Sequence, residues 1–350
     1  MSSLSEVRRV AIEAVVQACR ACRSVFNQLV TGETLIKSDR SPVTVADFSA
    51  QAVVNRYLAT HFPDDAIIGE ESAQDLRPDT PVAHTLCNKV LELTNAVLPK
   101  PALTRTQLLD TIDWGALSAG RSKRSRRHWT LDPIDGTKGF LRGDQYAVCL
   151  ALIIDGQVEL GVMGCPNLPA GSTATTTTAQ DQLAPGFLFI AERGRGAFSR
   201  PVESPDASVP IQETPIRVSG NTDLTQAVVC ESVEAAHSSH SDAQRIGQLL
   251  GIQADPFRMD SQCKYACLAR GEADIYLRLP TRADYIEKIW DHATGSLLVE
   301  EAGGIVTDIY GKPLDFSVGS FLSRNKGVIA SSAQLHPQVL KAVQETLNIE

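Results

Sequence analysis

The sequence has 350 residues, enough for two domains, and 43% of them are hydrophobic but only 5% aromatic, so small aliphatic side chains must do most of the packing. A formal net charge of −8 repels nucleic acid and anionic membranes at long range, so a small anionic ligand would need its own local cation, either a basic side chain or a bound metal. No apolar run reaches the ~18–20 residues of a spanning helix, the first residues lack the apolar stretch of a secretory signal, and eight cysteines in this length do not make a disulfide scaffold, which together point to the cytoplasm.

The chain opens on a helical pattern, with Val10, Ala14, Val15, Ala18, Cys22, Val25, Phe26 and Leu29 mostly on one face and Gly32 ending it. Cys19 and Cys22 form a C-x-x-C there, but no second pair completes a zinc site, so buried thiols are the simpler reading. Cys263 and Cys267 are read the same way. A second helix is expected over 47–61, stopped by Pro63. Residues 72–128 are the least patterned; helical pieces such as 87–97 are broken by Pro99 and Pro101. The basic run 121–127 reads either as a phosphate-binding patch or, preferably, as a solvated loop.

Apolar runs at 147–154 and 157–164 flank Asp155-Gly156, a strong hairpin signal, and a second hairpin is expected around Arg193-Gly194-Arg195. The Thr-rich stretch 172–180 reads as a loop or insertion. After Val218 the rhythm changes to short strands alternating with helices: strands at 227–231, 273–277, 304–308 and 327–330, helices at 242–250, 262–269 and 291–302, and a terminal amphipathic helix. These features predict an N-terminal α+β domain over 1–217 with a largely antiparallel sheet, and a smaller α/β domain over 218–350.

The chemistry centres on Asp132-Pro133-Ile134-Asp135-Gly136-Thr137. Pro133 disfavours helix at Asp132, Gly136 permits a tight turn, and Thr137 suits a helix N-cap. A strand ending in such a turn can aim both carboxylates and a backbone carbonyl at one point, and two like charges so close are costly unless a cation neutralises them. A polar turn that merely caps a helix is the other reading, and the segment alone does not choose. Further acids lie in Gly69-Glu70-Glu71-Ser72, in Trp290-Asp291-His292-Ala293, and at Asp47 after Ser41-Pro42-Val43-Thr44. Each is weak by itself, since acids near helix N-termini are common. The set is all oxygen, which suits magnesium rather than zinc.

In combination and order, these blocks resemble the magnesium-dependent, lithium-sensitive phosphatase superfamily that includes inositol monophosphatases, over most of the chain from Ser41 to Gly304. The extension Lys138 to Gly143, His237-Ser238-Ser239-His240, Asp260 to Tyr265 and Tyr276 to Pro280 resemble its bisphosphate nucleotidase branch rather than its inositol branch. The resemblance implies alternating helix and sheet layers, with the metals between the two domains. It also implies hydrolysis of the 3′-phosphate of adenosine 3′,5′-bisphosphate, and of 3′-phosphoadenylyl sulfate, in the setting of sulfur assimilation. Two or three Mg2+ ions are implied: one on Glu70, Asp132 and the Ile134 carbonyl, a second on Asp132, Asp135 and Asp291, a third near Asp47 and Glu70. Thr137, assisted by Asp47, would orient or deprotonate the attacking water. Gly136 and Thr137 would lie against the phosphate, Ser261, Lys264 and Arg278 would meet the remaining phosphate or ribose, and either His237 or His240 would lie near the adenosine. The expected partner is the small nucleotide substrate alone, bound by a monomer, with no nucleic acid and no membrane. An inositol phosphate phosphatase and a catalytically silent nucleotide sensor are the rival readings. The 72–128, 121–127 and 172–180 stretches match none of the superfamily's motifs.

Overall fold

The computed structural model describes residues 4–27, 35–36, 42–43, 45–122, 126–168, 186–203, 210–234, 238–282 and 284–349. Helix α1 (Leu4–Asn27) buries Val10, Ala14, Val15, Ala18 and Cys22 along the stripe that the sequence spacing predicts. A short ribbon of β1 (Leu35–Ile36) and β2 (Pro42–Val43) precedes α2 (Val45–His61), which is buried nearly all round and packs on α1. After β3 (Ala66–Gly69) come two long helices, α3 (Pro81–Val97) and α4 (Arg105–Ser122).

These two helices correct the expectation that 72–128 is poorly patterned. Among the described side chains, α3 buries Ala83, Leu86, Cys87, Val90 and Thr94, and α4 buries Leu108, Leu109 and Ile112, stripes too narrow to stand out in the sequence. Thr80 caps α3 by accepting from Ala83 N at 3.2 Å, and Pro99 and Pro101 fall in the connection rather than in a helix. In the basic run, Arg126 pairs with Asp155 at 2.5 Å and Arg127 with Asp65 at 2.9 Å. Residues 123–125 and the Thr-rich 172–180 lie outside the described residues.

A seven-stranded sheet is built in the order β3, β4 (Arg127–Asp135), β5 (Ala147–Ile154), β6 (Gln157–Cys165), β7 (Phe187–Glu192), β8 (Gly196–Pro201), β9 (Thr214–Ile216), antiparallel except for the β3–β4 pair. The short α5 (Thr137–Arg142) follows β4. The β5–β6 hairpin turns at Asp155 (φ 52°) and Gly156 (φ 80°), both left-handed as a two-residue primed turn requires. Alternation sends Val148, Leu150 and Leu152 to the core under α1 and α2, and Ala147, Cys149, Ala151 and Ile153 to the opposite core.

The second sheet has five strands, with β10 (Val229–Ser232), β11 (Phe257–Met259), β12 (Ile275–Arg278), β13 (Gly304–Thr307) and β14 (Val328–Ser332) in the order β11-β10-β12-β14-β13. It is parallel between β11, β10 and β12 and antiparallel beyond. Helices α7 (Cys263–Ala269) and α8 (Ala293–Glu301) fill the space between the two sheets, while α6 (His240–Leu250) and α9 (His336–Leu347) cover the outer face of the second. The result is the expected layered α/β architecture, helix–sheet–helix–sheet–helix. Strand β10 starts at Val229 rather than 227, and α8 starts at Ala293 rather than 291, so Asp291 lies just outside the helix. All eight cysteines are buried and unbridged, and burial pushes the Cys19 thiol up to about 12, in keeping with packed, inert thiols. Among the described residues, no helix is long and apolar enough to cross a membrane.

The middle layer tolerates little change. A Cβ on Gly295 of α8 would lie 2.2 Å from the Tyr265 ring of α7, and both residues are buried. Gly295→Ala is expected to destabilise the protein by about 1–3 kcal/mol through overpacking. This would be read as a lower urea midpoint at unchanged slope.

Candidate active site

Two carboxylates three residues apart on a regular strand would face opposite sides of the sheet. Strand β4 avoids this by slipping register: Asp132 pairs with Cys149 and Asp135 with Ala147, so three steps on β4 match two on β5. The extra residue is accommodated at Pro133-Ile134, and the bulge turns both acids into one cavity of about 670 Å³. Gly136 then adopts φ 86°, where a side chain would be strained and its Cβ would sit 2.9 Å from Ser261 Cβ. This corrects the capping expectation. Gly136 is the N-cap of α5 and Thr137 the first helical residue, because the chain must reverse through a left-handed residue before the helix can begin. The Thr137 hydroxyl donates to the Ile134 carbonyl at 3.2 Å.

Glu70 arrives beside this turn at the end of β3, its N–H donating to Leu131 O at 3.2 Å. Glu71 lines the cavity as well but is buried, its backbone clamped at both N and O by the buried Gln51 side chain. Asp47 is buried in the first turn of α2, and Asp291 reaches the cavity from the segment preceding α8. Burial raises the Asp132 carboxyl well above its ordinary value, and Glu70, Asp135, Asp291 and Asp47 push it further in the same direction. Asp132 Oδ1 is buried without a hydrogen-bond partner among the described residues. Asp135 and Asp291 are raised by burial too, against the opposing pull of Lys264 and Arg278 on the first and Arg278 on the second. A buried, mutually repelling set of carboxylate oxygens with an orphaned acceptor at its centre fits a hard divalent cation held by oxygen ligands.

The opposite wall comes from the second half of the chain. Ser261 is buried at φ 64° and lines the cavity, as do Lys264 and Arg278. Lys264 is already bonded within the chain: its ammonium donates to Ser261 O (2.7 Å) and Met259 O (3.1 Å), and burial lowers its pKa. Arg278 bonds both oxygens of Glu287 at 3.0 Å and stands 3.7 Å from Asp291. His240 is not drawn into the cavity lining; its Nε2 is 2.9 Å from Ser232 O at the start of α6. His237 lies outside the described residues.

Sequence reasoning missed Glu287, His292 and Gln262. Burial raises the Glu287 carboxyl, but Arg278 and His292 outweigh it and bring it down to about 2. His292 Nε2 is 3.2 Å from Glu287 and its Nδ1 is 2.8 Å from the Tyr265 hydroxyl. Glu287, Asp291 and His292 come close enough to suggest a metal cluster, yet Arg278 already neutralises Glu287 and the His292 ring is bonded on both sides. They are better described as an ion-pair network behind Asp291. His292 and Gln262 lie inside the Trp290–Ala293 and Asp260–Tyr265 blocks but were given no role there, and for Glu287 the signal was nearness to the first of these blocks, since the stretch from 281 to 289 has no periodicity.

Comparisons with known proteins show the family. The inositol monophosphatase family profile matches residues 3–348. A 3′(2′),5′-bisphosphate nucleotidase of Emericella nidulans is 45% identical, the alignment covering 99% of this chain and 100% of that protein. The protein of the same name from Schizosaccharomyces pombe is 43% identical, with 97% and 95% covered. Among solved structures, extragenic suppressor protein suhB from Bartonella henselae shares the fold with a TM-score of 0.64 at 20% identity, covering 97% of this chain and 99% of that one. With a family profile spanning nearly its whole length, the chain belongs to the inositol monophosphatase family.

Proposed function

We propose that this chain is a magnesium-dependent phosphatase that hydrolyses the 3′-phosphate of adenosine 3′,5′-bisphosphate to AMP and phosphate, and also accepts 3′-phosphoadenylyl sulfate. The observation that carries the reaction is the converging carboxylate set around the unpartnered Asp132 oxygen. The names borne by the full-length relatives at 43–45% identity support the substrate class. The family is metal-dependent, and the donor set favours two or three magnesium ions.

Glu70, Asp132 and the Ile134 carbonyl would hold one ion, Asp132, Asp135 and Asp291 another, and Asp47 with Glu70 would border a third. Magnesium, when bound, supplies positive charge that offsets the phosphate oxygens and makes water a better nucleophile. The Thr137 hydroxyl, whose proton now goes to the Ile134 carbonyl, would accept a proton from the attacking water and give its own to Asp47. As the water oxygen bonds to phosphorus, the bond to the ribose 3′-oxygen breaks and that oxygen takes a proton from solvent water, to which Asp47 later returns its own. Arg278 and Glu287 hold Asp291 in place from the other side. Gly136 leaves room for the phosphate, Ser261, Lys264 and Arg278 shape the wall that would meet the rest of the nucleotide, and His237 or His240 would flank the adenosine. On the same reading, residues 1–217 and 218–350 form two lobes that meet at the site. The protein acts as a cytoplasmic monomer, and lithium inhibits it by replacing a weakly held magnesium.

The test is phosphate release from adenosine 3′,5′-bisphosphate and from inositol 1-phosphate by the purified chain, with magnesium and with a chelator. Preferential release from the nucleotide, lost on chelation, is the expected result. Release only from the inositol compound would overturn the substrate reading while keeping the metal chemistry. Tight nucleotide binding without release would favour the silent sensor.

A further inference from the structure

Helix α8 begins behind His292, which occupies the N-cap position without giving the helix a side-chain hydrogen bond. Its ring is already engaged by Tyr265 and Glu287. The missing cap comes from another element. Gln262 Oε1 accepts from Gly295 N at 3.0 Å, and Gln262 Nε2 donates to Trp290 O at 2.8 Å. One amide therefore grips the chain on both sides of Asp291. The backbone N–H of the same residue donates to Asp135 Oδ2 at 2.5 Å, and Gln262 is 2% exposed. Asp135 sits on the edge of the bulge in the seven-stranded sheet, and Asp291 on the entry to α8. Gln262 bonds directly to both segments.

We infer that Gln262 is a positioning residue that fixes Asp291 relative to Asp135 and thereby sets the affinity of the divalent cation these two carboxylates would share. Almost any residue would supply the backbone N–H to Asp135; only a side chain with an acceptor and a donor at this length can both cap Gly295 and tether Trp290. Without it, the entry to α8 would have an uncapped N–H and a loose carbonyl, and Asp291 could drift from Asp135 under their mutual repulsion. The inference rests on the metal reading given above.

The test is calorimetric titration of Mg2+ into the full chain stripped with chelator, paired with the Mg2+-induced shift in Tm. Gln262→Met keeps length and volume but removes both side-chain bonds; Gln262→Asn keeps the amide but is one methylene too short. Both are expected to bind Mg2+ about 10-fold or more weakly, as supporting residues around metal ligands do when lost, and to show a smaller Mg2+-induced Tm shift. Ser296→Ala, which removes a buried hydroxyl that donates to Ala293 O of α8 at 3.1 Å, serves as the stability control and should leave Mg2+ affinity unchanged. Affinity equal to that of the unaltered chain in whichever Gln262 variant folds would overturn the inference. Absence of Mg2+ binding by the unaltered chain would overturn the metal reading first, and this inference with it.

Discussion

Asp135→Asn should reduce turnover by about 10³-fold or more while leaving the fold intact. The substitution preserves shape, and an amide oxygen can still accept from Gln262 N, which now approaches Asp135 at 2.5 Å. What disappears is one negative charge in a site where charge is the working material. Electrostatic groups acting on a transition state in a low-dielectric pocket typically contribute factors of about 10²–10³ each, and a direct ligand of a catalytic cation should lie at the upper end. The measurement is kcat with saturating magnesium and nucleotide, alongside the far-ultraviolet circular dichroism of the variant. Activity within a few-fold of the unaltered chain would mean that the carboxylate cluster is not the reaction centre.

The second large effect is one of opposite signs. Asp132 is buried among acids with an unpartnered oxygen, so in the metal-free protein its charge opposes folding. Asp132→Asn should abolish activity yet raise metal-free stability by about 1 kcal/mol or more, roughly 1–2 °C or more in Tm for a chain of this length. The pH dependence follows from the same shift. Burial, then Glu70, Asp135, Asp291 and Asp47, raises the Asp132 pKa in the folded state, so the folded protein holds this proton more tightly than the unfolded chain. That contribution is complete below the ordinary carboxylate value of 3.8 and is lost as pH rises through the elevated one. In chelator, this group should therefore make the unaltered chain more stable as pH falls from neutrality towards that window, and Asp132→Asn should flatten the trend. Saturating magnesium at neutral pH should reverse the ranking, because ligand that binds only the folded unaltered chain adds stability by mass action. Equal chelator Tm values for the two proteins across this pH range would refute the account.

The parts legible beforehand were those written in short periods. The α1 stripe, the Asp155-Gly156 turn and the alternating runs on either side of it depend on neighbours within a few residues, and they fold as the spacing says. The same holds for the acids near the strand and helix ends of the first half. Only the 87–97 part of α3 was legible and α4 was missed, because few apolar residues stand out there, and the prolines that seemed to break the helical pieces lie between the two helices. Thr137 was misplaced by one position because cap propensity was weighed without the left-handed residue that the reversal demands. Lys264 and Arg278 were expected to face a ligand, and the structure adds that both are first bonded to the chain itself.

By itself the sequence determined which chemistry was available: an all-oxygen set of acids, a Gly-containing turn after a strand, and a succession of blocks that places the chain in its family. The tertiary structure decided which of those acids meet. Asp132 and Asp135 face one cavity only because β4 slips by one residue against β5. Asp291 joins them only because α8 is wedged between two sheets and capped by Gln262 from a different helix entrance. Local propensity carries no information about either, since a register shift and a cap donated by another element are set by packing between segments far apart in the chain.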